Sequence, residues 1–265
     1  MRLCAHIDGV GVLGPGIAGW DAAQAILCAR IPYLAAATVL QAPAVLPAAE
    51  RRRTGRVVKL TIAIALEATS NAGADARSLP SVFTSSGGDG HNCHELCAAL
   101  AVPAREISPT RFSNSVHNAS AGYWGIATGA MTASNAICAY DGSFCAGLLE
   151  ALTQVVVERT PLLFVAYDTD YPPPLRAKRP LPDAFGIAFV LAPERGPRSL
   201  AQIEIGLTDA AAAALEDPGL EALRTAIPAA RGLPLLRMLA QRRAGRAALD
   251  YRDDVRLDVQ VTPCV

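Results

Sequence analysis

The sequence predicts an α/β fold: a mixed, mostly parallel, five-stranded sheet with helices on both faces. Three observations carry that expectation. Short runs such as Leu162–Ala166 and Phe185–Leu191 are apolar almost throughout, as strands buried on both faces require. Between Leu79 and Ala166 such runs alternate with segments of helical periodicity, the order that builds parallel strands with crossover helices. Glycine and proline clusters punctuate the joins, at Gly14-Pro15-Gly16, Gly87-Gly88-Asp89-Gly90 and Pro172-Pro173-Pro174.

Each element follows from local pattern. Val10 to Gly16 alternates apolar residues with glycine and ends in Gly-Pro-Gly, a strand entering a turn. Trp20 to Arg30 carries apolar residues at helical spacing, and Pro32 to Pro47 is an irregular Ala/Pro-rich stretch. Leu60, Ile62, Ile64 and Leu66 alternate like a strand, but the Ala-rich run to Ala68 and the stop at Asn71-Ala72-Gly73 favour a buried helix. From Leu79 the order is strand (Ser81–Ser85), Gly-rich turn, helix (His91–Leu100) and a loop with Pro103 and Pro109. Then come helix (Ala119–Gly129), strand (Ser134–Ala139), helix (Ser143–Glu158) and strand (Leu162–Ala166). Tyr171–Leu175 is a connector stiffened by proline. Phe185–Leu191 and Ser199–Leu207 flank a hairpin turn at Glu194–Pro197, so antiparallel strands join late. Asp209–Ala214, Leu220–Ala230 and Leu233–Ala248 are expected as helices, and Val255–Val261 alternates strictly, as a terminal strand does.

With 265 residues, 51% hydrophobic content and a formal net charge of +0, the chain can bury a large core and is expected to form one domain over 1–265. Its core runs to about residue 207, with helical additions and the terminal strand over 208–265. Balanced charge argues against a nucleic-acid partner, and the Arg51–Arg53 and Gln241–Arg246 clusters are short solvated faces or a surface for an acidic partner. No charged start followed by an apolar run marks a signal peptide, and no stretch reaches the ~20 apolar residues of a bilayer span. A membrane partner is therefore not expected, and the cytoplasm is the expected location. Without a secretory signal the seven cysteines read as reduced thiols, largely buried small hydrophobes. Cys93 and Cys97, with His91 and His94 beside them, lack a second ligand pair at finger-like spacing, so a helix start is preferred to a zinc site. Thr84–Gly90 has the glycines of a phosphate loop without its Lys-Ser/Thr ending, and no metal or other cofactor is expected.

The most informative stretch is Ile107–Ala151. Asn114, Ser115, Asn118, Ala119, Ala121 and Gly122 crowd small residues and Asn before Ile126-Ala127-Thr128-Gly129. Ser134 to Ala139 then runs as a strand, turns at Tyr140-Asp141-Gly142 and continues as a helix from Ser143. Such an elbow puts the turn residue at a helix N-terminus, where backbone N–H groups favour negative charge.

These residues resemble the β-ketoacyl synthases of the thiolase superfamily. That family's Asn-x-x-Ala-Gly helix lies on Asn118–Gly122, and an ungapped strand lays its Thr-Ala-Cys-Ser-Ser elbow on Ala139–Ser143. Met1–Gly16, Arg51–Ala74, Ser81–Gly90, Thr160–Asp168 and Ala184–Leu191 follow in the family's order. More narrowly, the chain resembles short, single-half ketosynthase-like N-terminal domain proteins found beside aryl polyene and related polyketide pathways. The resemblance implies a thiolase-like half, and puts the acyl-accepting Cys at Asp141, which cannot form a thioester. It also implies that the second half, with its two His and a Lys, is absent.

Condensation needs a thiolate to hold the acyl chain and imidazoles to stabilise the enolate, so the expectation is a non-condensing accessory protein of fatty-acid or polyketide synthesis. Two other readings stand beside it: an acyl transferase or thioesterase using Asp141 with His117 or His91, and a purely structural assembly protein. Asp141 as a cap of the following helix is the simplest role for it. Candidate substrate contacts are Asn118, Ser143, Ser86 and His91. Expected partners are a second copy or a full-length ketosynthase, paired through Thr160–Tyr167 as an exposed sheet edge, and an acyl carrier protein.

Overall fold

The computed structural model describes residues 2–264; Met1, which the expected first segment included, lies outside them. In chain order the strands are β1 (Leu3–Gly14), β2 (Ile17–Ala18), β3 (Ser81–Thr84), β4 (Ser134–Ile137), β5 (Leu162–Asp168), β6 (Phe185–Ala192), β7 (Ala201–Thr208), β8 (Gly245–Asp250) and β9 (Arg256–Pro263). The helices are α1 (Trp20–Leu27), α2 (Ala48–Arg51), α3 (Arg56–Ala72), α4 (Gly90–Ala101), α5 (Pro109–Ser113), α6 (Ala119–Thr128), α7 (Ser143–Glu158), α8 (Leu175–Lys178), α9 (Pro218–Ala226) and α10 (Leu233–Ala240). Short 3-10 turns occupy Tyr140–Gly142 and Pro228–Gly232.

All nine strands belong to one sheet, ordered β4-β3-β5-β6-β1-β7-β9-β8, with β2 paired to β1. Mixed α/β architecture is as the sequence predicts, but the sheet has nine strands rather than five and is mostly antiparallel. Only the β3–β4 and β3–β5 pairings are parallel. Every other pairing is antiparallel. Periodicity locates strands without saying which lie side by side, and β1 sits centrally between β6 and β7. Two further expectations are corrected. Leu233–Ala248 is not one helix: α10 ends at Ala240, and Gly245–Asp250 pairs with β9 as strand β8. Helix-forming Ala and Arg in that segment are overridden by pairing with the strictly alternating β9. Asp209–Ala214 is irregular.

Both faces of the sheet are covered. Along β5, Leu162, Phe164 and Ala166 enter one core cluster while Leu163, Val165 and Tyr167 enter the other, the period-two signature of a strand packed on both sides. The first cluster includes residues of α1, α7, α9 and α10; Phe164 meets Phe144 edge-on at 5.6 Å and stacks on Phe189 at 6.0 Å. The second holds α3 and Trp124 of α6. Helix α3 lies so close on β1 that a Cβ at Gly11 would collide with the Ile64 carbonyl, which explains the glycine alternation read from the sequence. Glu67 of α3 accepts from Val12 N at 2.9 Å and from Trp20 N, tying β1 and α1 to the same helix.

Thr160–Tyr167 is not a sheet edge: β5 lies between β3 and β6. The edge beside the elbow is β4, whose Ser134 and Asn135 are exposed. Among the described residues no helix is long and apolar enough to cross a membrane.

Candidate functional site

Strand β4, the Tyr140–Gly142 turn and α7 form the expected elbow, with Asp141 in the turn. Tyr140 takes a left-handed backbone (φ 51), and Gly142 is required because a Cβ there would strike the Tyr251 carbonyl of the β8–β9 hairpin. Ser143 is buried and fastens the corner: its Oγ accepts from Ala139 N at 3.0 Å and lies within donating distance of the Tyr140 and Ser85 carbonyls.

The Asp141 carboxylate does not cap α7; that helix follows Gly142 without a side-chain cap. It faces two arginines instead. Arg179 Nη2 donates to Asp141 Oδ1 at 2.6 Å, and its guanidinium lies 4.0 Å above the Tyr140 ring. Arg231 Nη1 donates to the Asp141 carbonyl at 2.6 Å, with Nη2 3.7 Å from Oδ2. Burial opposes charge on Arg179, but the hydrogen bond and negative charge of Asp141 outweigh it and hold the guanidinium above its ordinary pKa. Beside this cluster opens a cavity of about 440 Å³, lined by Tyr140, Asp141, Arg231, Tyr251 and Arg256 among others.

The other candidates do not converge on Asp141. His117 sits 3.5 Å from Ser85 Oγ in a separate small cavity with Ser120 and Tyr167, and burial lowers its pKa. Among the described residues it shares neither a hydrogen bond nor a cavity with Asp141. His91 pairs with Asp170 at 3.2 Å, and Asn118 precedes α6 without capping it through its side chain. Ser86 is buried and donates to Asp168 Oδ1 through N (2.8 Å) and Oγ (2.6 Å). The thiols also differ from expectation. Cys145 is buried, and burial pushes its pKa far up; Cys93, Cys97 and Cys138 are exposed rather than core residues. Cys138 donates to the Ser86 carbonyl at 3.3 Å and Cys145 to that of Asp250 at 3.3 Å.

Sequence reasoning missed Arg179, Arg231 and Asp168. Asp168 ends β5 and accepts from Ser86 and, at 2.9 Å, from Ala229 N; burial raises its pKa to about 6 despite those donors. A carboxylate ending an apolar strand was a legible signal. The arginines, 38 and 90 residues from Asp141, left none.

The family model described as beta-ketoacyl synthase, N-terminal domain, matches residues 28–251. The chain belongs to that family. No curated protein matches its sequence. Among solved structures, a chain of the ketosynthase ApeO in complex with its chain length factor ApeC from Xenorhabdus doucetiae superposes with a TM-score of 0.73 at 22% identity, over 97% of this chain and 99% of that one. The ishigamide ketosynthase/chain length factor gives 0.74 at 13% identity, over 99% and 100%. AntDE:AntF, a type II PKS acyl-carrier protein in complex with its ketosynthase bound to the hexaketide, gives 0.76 at 11%, over 100% of both. At these identities the likeness establishes the ketosynthase fold. Within that fold, the elbow of this ketosynthase-family chain carries a carboxylate held by two arginines.

Proposed function

We propose that this chain is a non-condensing ketosynthase-like subunit of fatty-acid or polyketide synthesis, of the aryl polyene type, that pairs with a condensing ketosynthase in the cytoplasm. The observation that carries the reading is the Asp141–Arg179–Arg231 cluster. Acyl transfer onto Asp141 would neutralise the carboxylate and forfeit a charge-assisted hydrogen bond worth about 1–3 kcal/mol, the lower end applying because Asp141 is 42% exposed and screened. The product would be a labile anhydride rather than a thioester. Among the described residues no imidazole hydrogen-bonds Asp141, which disfavours the acyl-transferase alternative.

Surface chemistry supports a protein partner. The free side of β4 is an unpaired edge, and large apolar side chains stand exposed on the segments near it in sequence: Met131 (95%), Phe112 (66%), Tyr140 (62%), Val116 and Ile126. The similar structures named above include ketosynthase–chain length factor assemblies. Arg52, Arg53, Arg56 and Arg111 line a cavity of about 360 Å³ that suits an acidic acyl carrier protein, a secondary contact of the same assembly.

Co-expression with a ketosynthase of the aryl polyene type, followed by size-exclusion chromatography with light scattering, tests the pairing. The expected result is a one-to-one complex that Met131→Glu and Asn135→Pro weaken at least tenfold, since the first charges the surface and the second removes an edge N–H. A chain that remains monomeric and retains no ketosynthase would overturn the reading; a homodimer alone would replace the partner with a second copy.

A further inference from the structure

We propose that Arg179 and Arg231 form a carboxylate-binding site that Asp141 occupies in cis. Three observations point to it. Both guanidiniums are largely withdrawn from solvent, with side chains 17% and 19% exposed, and among the described residues neither has a second carboxylate within ion-pairing distance. Asp168 feels Arg179 only from farther away, and its oxygens are taken by Ser86 and Ala229. Arg179 Nε is buried with no hydrogen-bond partner, so the fork that donates to Asp141 through Nη2 keeps a donor that a two-oxygen ligand can use. The adjoining cavity of about 440 Å³ is lined by Asp141 and Arg231, together with Asp250 and Asp253, and gives a small anion a route to the Arg231 side of the site.

Removing the Asp141 carboxylate therefore leaves two arginines, one stacked on Tyr140, aimed at a space of carboxylate size with water access. Arginine is the side chain suited to this task, because its planar fork matches a carboxylate and cannot lose its charge. In the native chain the site is closed by its own side chain, so an external carboxylate binds only by displacing Asp141. The inference concerns the elbow used in the functional reading but rests on the ion-pair geometry alone. It is tested on the isolated chain, so either can fail without the other.

The experiment is chemical rescue. Asp141→Ala is expected to lower Tm, and formate or acetate to restore it saturably, with sodium chloride at equal ionic strength as the screening control. A probe at ten times its dissociation constant raises the midpoint by about 3–6 °C in a domain of this size. The wild type, its site filled, shows no such response, and Asp141→Ala/Arg179→Gln loses it. If Asp141→Ala is insoluble, Asp141→Ser, which keeps a polar side chain but leaves the carboxylate space empty, carries the same titration. Rescue by formate no greater than by chloride, or equal rescue in the double variant, overturns the proposal.

Discussion

Two carboxylates near the elbow carry opposite physics. Asp141 is half-exposed and paired with arginines, whereas Asp168 is buried and held by three neutral donors. Burial raises the Asp168 pKa from 3.8 to about 6, so between those values the folded chain binds a proton that the unfolded chain does not. The stabilisation from that proton is complete below about pH 4 and is lost as pH rises through about 6. Urea midpoints measured from pH 4 to 7 should therefore include a falling component that Asp168→Asn abolishes; an unchanged slope in the variant would refute the assignment. Asp168→Asn should also cost about 1–3 kcal/mol at pH 7, because an amide N–H₂ then faces one of the backbone or hydroxyl donors. The cysteines give an independent check of burial. In native protein, iodoacetamide should modify Cys93, Cys97 and Cys138 and spare Cys145, whose buried thiol holds its proton far above neutral pH. Mass spectrometry of the labelled peptides reads this directly, and rapid native labelling of Cys145 would mean that the elbow opens.

At the scale of elements, β1 packs against α3 with no space for side chains at two of its glycines. Gly9 and Gly11 leave no room for a Cβ against the Ala68 and Ile64 carbonyls, and backbone cannot yield as a flexible side chain does. Gly11→Ala should cost about 1–3 kcal/mol in urea unfolding, whereas Gly122→Ala, where a Cβ meets nothing within 4 Å, should be neutral or slightly stabilising. Equal effects at the two positions would show that helix α3 is not packed as described. The helix at Arg56–Ala72 and the strand–turn–helix around Asp141 were both legible, since Ala-rich periodicity with a Gly73 stop marks the one and a short strand meeting Tyr-Asp-Gly marks the other. Strand β8 was not legible: Arg246, Ala247, Ala248 and Leu249 suit a helix until β9 offers them a pairing edge.

At the scale of the whole molecule, the decisive feature is which strand is left unpaired. The family resemblance put the pairing edge at Thr160–Tyr167, yet a strand apolar on both faces belongs inside a sheet, and β5 is there. Strand β4, whose Ser134 and Asn135 disguise it, holds the edge and carries the proposed partner surface. The sequence by itself determined the α/β class and the membership in the ketosynthase family, because these depend on residue type and local period. Only the tertiary structure decided the sheet order, the arginines that clamp Asp141 and the separation of His117 from it. Those features join residues far apart in the chain, and the burial and pairing that select among such contacts exist only once the sheet has closed.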